Sequence, residues 1–238
     1  MNVEINGPKI LGYLFGNTNL PITETMRNAW IIMAFILLLC IFLTHRMEKI
    51  PKGKQAFAEK AVLMIDSLVD STMGEGCRAF SPYIMTLMMS SLFGSLASLF
   101  WMRSTTADLN TTLGWAIITF ILITYNKIKF GGIGGYLKGF LEPIFVMAPL
   151  NVLSEIATPV SMSFRHFGNM AGGLVITTLI MGALKVLSNA VLGFLPVPLL
   201  QIGLPGVLSL YFDCFTACMQ AFIFSMLTMA YVGDARSS

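Results

Sequence analysis

The chain has 238 residues, of which 55% are hydrophobic and only 11% are charged. Soluble domains carry about 25% charged residues, so this composition excludes an ordinary soluble protein and indicates one that crosses a membrane several times. The net charge is only +3, and the basic residues lie at the ends of apolar segments, so nucleic acid is not an expected partner.

Lipid leaves no water to satisfy backbone polar groups, so spanning segments are helical unless they form a closed barrel. We therefore predict an all-α polytopic membrane protein with about five transmembrane crossings and one cytoplasmic surface helix. Residues 1–25 are predicted to form an external N-terminal segment, and residues 26–235 a single transmembrane helical domain.

The first span, about residues 28–45, is followed by a basic flank made of His45, Arg46, Lys49, Lys52 and Lys54. Because basic flanks stay in the cytoplasm, the N-terminus is expected outside.

An amphipathic segment follows at about residues 54–78. Its apolar positions recur at helical spacing, at Phe57, Ala61, Met64, Ile65 and Leu68. This pattern predicts a helix that lies on the cytoplasmic surface or against other subunits. The next two spans are predicted at about residues 81–102 and 109–127, joined by a short external turn at residues 103–108.

The segment from Lys127 to Lys138, which contains FGGIGG, is predicted to be a flexible cytoplasmic connector. No strand precedes these glycines and their spacing is wrong for a nucleotide-binding loop, so no cofactor is expected.

The fourth span, about residues 149–190, would extend about 60 Å as one helix, roughly twice the hydrocarbon thickness. It must tilt steeply, bend, or leave the membrane partway, and Pro159 marks a bend or a helix start. Three prolines then indicate an external loop, and residues 206–232 return the C-terminus to the cytoplasm; the prolines are Pro196, Pro198 and Pro205.

Arg165 places a guanidinium inside the long fourth span, where a charge is costly to hold and usually has a function. Helical spacing puts it on one face with four other residues, namely Thr158, Ser161, Gly168 and Gly172. The two glycines form a GxxxG pair, which lets another helix come close. Arg165 therefore either pairs permanently with Glu155 or Asp213, or attracts a carboxylate that comes and goes.

Acidic and polar residues on both sides of Arg165 suggest two half-paths for a cation. Asp213 and Gln220 share a face of the last span and indicate an outer path, whose mouth Asp108 would extend unless it caps a helix. Glu155 lies toward the cytoplasmic end of the arginine helix and indicates an exit. A carboxylate on a moving partner would be protonated from one path, pass Arg165 only when ionised, and release its proton to the other path.

Four motifs resemble one known family in the family's own order. They are TADLNTTL (106–113), GYLKGFLEP (135–143), PVSMSFRHFGNMAGG (159–173) and MQAFIFSMLTMAYV (219–232). Together they make the chain similar to subunit a of the bacterial F-type ATP synthase over roughly residues 25–235. The resemblance implies a stator subunit with no catalytic site of its own, whose half-channels pass protons or sodium ions to and from the carboxylates of a c-subunit ring and so couple ion flow to ATP synthesis. It also implies a b-subunit stalk and other synthase subunits as partners, and a multi-pass location in the bacterial plasma (inner) membrane.

Position by position, Arg165 is similar to the family's essential arginine, and Asn169 and Gln220 match polar positions near it. Asp213 and Glu155 fall where relatives carry titratable groups of the two half-channels. Two residues depart from the pattern: Leu174 stands where relatives often carry Glu or His, and His166 stands where an apolar residue is common. His166 and Ser161 are included among the expected ion-path residues because they adjoin Arg165.

A secondary ion transporter or antiporter remains the alternative, since it too uses charge inside the membrane. It predicts an internal repeat with broken helices, and no such repeat is visible in the sequence.

Overall fold

A computed structural model describes residues 8–13, 21–45, 47–74, 76–100, 102–141, 145–191 and 210–237. Six α-helices lie in these ranges: α1 (Glu24–Thr44), α2 (Lys54–Met73), α3 (Ser81–Leu96), α4 (Leu109–Leu141), α5 (Ala148–Val191) and α6 (Thr216–Ser237). All but α2 belong to the five segments long and apolar enough to cross a membrane. The fold is therefore an all-α polytopic membrane protein, as predicted.

The N-terminal segment contains a small antiparallel hairpin. Strands β1 (Ile10–Tyr13) and β2 (Pro21–Thr23) pair, and β2 leads directly into α1. The Thr23 hydroxyl accepts a hydrogen bond from the Met26 backbone N–H and caps the helix. Most apolar side chains of α1 remain exposed in the isolated chain, which suits a helix that faces lipid or a partner.

Helix α6 lies at the centre of the bundle and packs against α2, α3, α4 and α5. Small residues, Ala217 and Ala221, are buried at its start, while Phe224 and Met229 fill the core further along. Hydroxyl pairs join the spans in the interior, as between Tyr83 and Thr119, because a buried hydroxyl in a membrane protein needs a partner.

The predicted surface helix exists as α2 and ends at Met73, five residues before the predicted end. Gly74, at φ +87°, terminates it with a conformation that side chains rarely adopt. Ile65 and Val69 bury one face of α2 in a cluster with Ile84 and Met229. Most of its other apolar residues stay exposed, including Phe57 and Met64.

The predicted flexible connector between Lys127 and Lys138 is wrong. Helix α4 continues to Leu141 and is interrupted only at Gly132, whose φ of +69° and ψ of 165° lie outside the helical region. The part after the break is fixed by contacts with α5: the Asn151 side-chain amide donates to the Phe140 carbonyl oxygen at 2.9 Å.

Helix α5 extends over 44 residues, about 66 Å at 1.5 Å per residue. The suggestion that Pro159 starts a helix is wrong, because α5 begins at Ala148 and continues through this proline. Pro159 removes one backbone donor from the helix. The predicted external loop with Pro196, Pro198 and Pro205 lies outside the described residues, as does Arg46 of the basic flank.

Candidate functional site

Arg165 lies on an exposed face of α5 within a transmembrane segment. Ser161 and Asn169, one turn before and after it, are exposed on the same face. Among the described residues, no hydrogen bond or ion pair holds the guanidinium, so the expected alternative of a permanent pair with Glu155 or Asp213 finds no support. Within the described part of the chain, α5 thus presents an unpaired cation on its exposed side, inside a segment apolar enough to cross a membrane.

The surface beside Arg165 is open to the close approach of another helix. A Cβ atom placed on Gly168 or Gly172 would meet no heavy atom within 4 Å. Gly233 of α6 differs, because a Cβ there would come within 3.2 Å of the Met73 backbone. Gly233 therefore serves packing within this chain, whereas the GxxxG pair of α5 is left unused by the described residues.

Asn169 and Gln220 are brought together across two helices. The Asn169 side-chain amide donates to Gln220 Oε1 at 2.7 Å, and Gln220 is only 2% exposed. The bond joins α5 to α6 one helical turn from Arg165. Both residues had been expected near the arginine.

His166 points away from this surface into the bundle. Its side chain is fully buried, and its Nε2 atom lies 3.3 Å from the Ser91 hydroxyl of α3. The imidazole ring also stands edge-on to Trp115 of α4 and Phe224 of α6. The structure therefore separates His166 from Arg165, its neighbour in the sequence.

Glu155 lies beside a cavity of about 430 Å³ between α4 and α5. Its Oε1 atom is 3.0 Å from Lys127 Nζ and accepts a 3.3 Å hydrogen bond from the Tyr136 hydroxyl. Glu155 is 12% exposed at its side chain and Lys127 is 33% exposed, so the pair is partly shielded from water. Ser154 and Thr158 also line the cavity, which places it on the side of α5 that precedes Arg165.

Asp213 lies in a stretch of π-helix, Leu210–Phe215, that leads directly into α6. Its side chain is partly buried. The wider π winding changes the register from the regular helix that the sequence spacing assumed, and such insertions are frequent at functional sites. Seven residues later, Gln220 makes its bond to Asn169.

Asp108 caps the start of α4. Its Oδ1 atom accepts a 3.0 Å hydrogen bond from the Asn110 backbone N–H, the arrangement that compensates a free donor at a helix start. The helix-cap interpretation therefore describes the geometry of this carboxylate. Leu174 is 41% exposed, and its apolar side chain supplies no titratable group to this part of α5.

Sequence reasoning missed the partners of these residues. Lys127 was assigned only to a connector, and Ser91 and Trp115 were given no role. The sequence offered one signal for Lys127: it is a basic residue near the end of a predicted span, and the next span carries the acidic Glu155. No sequence signal pairs Ser91 with His166, 75 positions away.

Comparison with known proteins identifies the family to which the chain is similar. The sequence model of the family described as ATP synthase A chain matches residues 26–233. The chain is 31% identical to "ATP synthase subunit a, sodium ion specific" of Propionigenium modestum, over 97% of this chain and 87% of that one. It is 34% identical to ATP synthase subunit a of Desulforamulus reducens, over 89% and 78% of the two chains. It is 31% identical to that of Moorella thermoacetica, over 90% and 91%.

Proposed function

The chain belongs to the family of ATP synthase subunit a, a multi-pass component of the F-type ATP synthase membrane motor, and from this premise we propose that it forms the stationary half of the ion-transfer site. The other half is a carboxylate on each subunit of a rotating c ring. Protons or sodium ions reach that carboxylate through one half-channel and leave through the other, and their flow turns the ring. Rotation is then coupled to ATP synthesis by the other subunits of the complex.

The observation that carries this proposal is the exposed Arg165 within a transmembrane segment, which has no partner among the residues that the structure describes. A charge facing lipid is strongly unfavourable, so a partner within the membrane must cover this surface. The guanidinium recognises a carboxylate through a rigid fork of donors, and the open glycines beside it let the partner helix approach. A carboxylate on a partner helix that passes this surface would cover the charge, match the guanidinium and fit against the glycines.

The charge state of the c-ring carboxylate explains how such a site would couple cation flow to rotation of the ring. A c-ring carboxylate neutralised by its cation travels through lipid at little cost, whereas the ionised form is stabilised beside Arg165. The carboxylate releases its cation to one half-channel before it meets the arginine and takes up another from the second half-channel afterwards. Arg165 also repels a free cation, which prevents a direct leak between the two paths.

We assign the residues of the half-channels as follows. Asp213 is the titrating group of the outer half-channel, with Gln220 and Asn169 between it and Arg165. Glu155 and the cavity beside it form the inner half-channel, and Ser161 lines the surface that meets the ring. Asp108 marks the outer end of α4 as its cap. His166 is removed from the expected ion path because its side chain is buried on another face of α5.

We also propose the orientation and the neighbours of the subunit. Lys49 and Lys52 lie between α1 and α2, and Lys54 is the first residue of α2. The excess of basic residues on this side favours the cytoplasm, which puts the N-terminal hairpin outside the bacterial plasma membrane. The exposed apolar surfaces of α1 and α2 are available to lipid and to a b-subunit stalk.

The test replaces Arg165 in the complete synthase, reconstituted in vesicles. Arg165→Ala is expected to lower ATP-driven ion pumping at least tenfold per assembled complex, while Lys185→Ala, which removes another exposed cation of α5, leaves it unchanged. Arg165→Lys keeps the charge without the fork and is expected to be impaired as well. Normal pumping by the Arg165→Ala complex would overturn the proposal.

A further inference from the structure

One face of α5 is buried against the other spans, and His166 lies in the middle of it. Pro159, Met162, Ser163 and Met170 are the other buried residues of this face. Their spacing of three and four residues follows one side of a helix. Arg165 precedes His166 by one residue, so its side chain projects about 100° away around the helix axis, since 3.6 residues make a turn.

His166 contacts each of the three spans that enclose this face. Its Nε2 atom meets the Ser91 hydroxyl of α3 at 3.3 Å. Its ring centroid lies 6.0 Å from that of Trp115 in α4 and 5.3 Å from that of Phe224 in α6, with interplanar angles of 86° and 90°. Such edge-to-face arrangements are favourable and directional.

A second buried bond restricts the same helix three residues earlier. The Ser163 hydroxyl lies 3.1 Å from the Thr112 hydroxyl of α4, and both residues are fully buried. Turning α5 by one residue position would break this bond and the His166 contacts together and would leave polar groups without partners in the interior, which is unfavourable.

We propose that His166 is a positioning residue for Arg165: by docking between Ser91, Trp115 and Phe224, it fixes the rotation of α5 so that the guanidinium faces the carboxylate ring. The proposal rests on the proposed function, because it assumes that the outward face of α5 meets that ring. It replaces the expectation that His166 itself carries ions. The histidine acts through the orientation of its neighbour and touches no transported ion.

A series of variants in the reconstituted synthase tests the proposal, with pumping measured per ATP hydrolysed in assembled complexes. His166→Ala removes the ring and the bond to Ser91 and is expected to lower this ratio at least fivefold. His166→Gln keeps a nitrogen near the position of Nε2 and is expected to pump within about twofold of the wild type. Ser91→Ala is expected to lower the ratio in the same direction, and combining it with His166→Ala adds no further loss, because both changes remove one interaction.

Met170→Ala is the control for a merely structural effect, because it also truncates a buried side chain of the same face. It is expected to reduce the amount of assembled complex without changing pumping per ATP hydrolysed. Wild-type pumping by His166→Ala would overturn the inference. So would a His166→Gln complex as impaired as His166→Ala while Ser91→Ala is unaffected, since that pattern indicates ion relay by the imidazole. If Arg165→Ala measured alongside pumps normally, the proposed function itself fails.

Discussion

The Asn169 side-chain amide donates a 2.7 Å hydrogen bond to Gln220 Oε1 and thereby joins α5 to α6 one turn from Arg165. Gln220 is nearly inaccessible, so loss of Asn169 leaves a buried acceptor without its donor. The bond fixes the relative position of the helix that carries the arginine and the helix that follows Asp213.

We predict that Asn169→Ala and Gln220→Ala each lower the free energy of unfolding by about 1–2 kcal/mol. The double variant should lose less than the sum, because both changes remove the same bond. Exchanging the residues, as Asn169→Gln with Gln220→Asn, preserves the combined side-chain length and should recover most of the loss. Denaturant unfolding of the purified subunit in detergent measures these values; additive losses and no recovery on exchange would contradict the assignment.

The ion pair between Lys127 and Glu155 gives a second prediction: replacing both residues should restore stability but not ion transport. Lys127→Met leaves the partly buried Glu155 carboxylate with the Tyr136 hydroxyl as its one partner among the described residues. This change should cost about 1–3 kcal/mol, between the values for exposed and buried pairs. The double variant Lys127→Met/Glu155→Leu should recover the stability, because an apolar pair of similar volume replaces both charges.

Transport by that double variant should nevertheless fall several-fold, since Glu155 is proposed to line the inner half-channel. Lys129→Met is the matched control, because Lys129 lies over the rings of Tyr125 and Phe130 and away from the cavity lining. Pumping at the wild-type rate by the stable double variant would exclude Glu155 from the ion path.

The sequence and the structure agree best on the face that Arg165 presents. Helical spacing alone grouped Ser161, Arg165 and Gly168, and these residues are exposed together. The spacing did not predict that His166 faces the interior, because the sequence does not distinguish a buried polar residue from an exposed polar neighbour. Which of them turns inward is decided by Ser91, Trp115 and Phe224, all on other helices.

The prediction of a flexible connector after Lys127 failed for a different physical reason. Clustered glycines are typical of loops, yet only Gly132 among those of α4 adopts a positive φ. The others remain helical because Tyr136 and Phe140 contact α5 through Glu155 and Asn151. Tertiary contacts thus override the local preference of glycine, and the cavity beside them could not be predicted from the sequence.

The two aspartates expected in the outer half-channel should behave differently when replaced. Asp213→Ala removes its proposed titrating group, and Leu174 supplies no substitute, so ATP-driven pumping should fall at least tenfold. Asp108→Asn retains a side-chain oxygen that caps α4 and should pump within about twofold of the wild type, whereas Asp108→Ala should lower stability by about 1 kcal/mol. Intact pumping by Asp213→Ala, or a tenfold loss in Asp108→Asn, would contradict these roles.

The most direct measurement of the central claim is disulfide cross-linking in the assembled synthase, with the four native cysteines replaced by alanine. Ser161 lies on the same face of α5 as Arg165, and the adjacent Val160 is exposed on another side of this helix. Each residue is replaced by cysteine in turn, as Ser161→Cys or Val160→Cys. Each is paired with a cysteine placed one turn from the ion-binding carboxylate of the c subunit. The account predicts efficient cross-linking from Ser161→Cys and little from Val160→Cys; equal yields, or cross-linking from Val160→Cys alone, would contradict it.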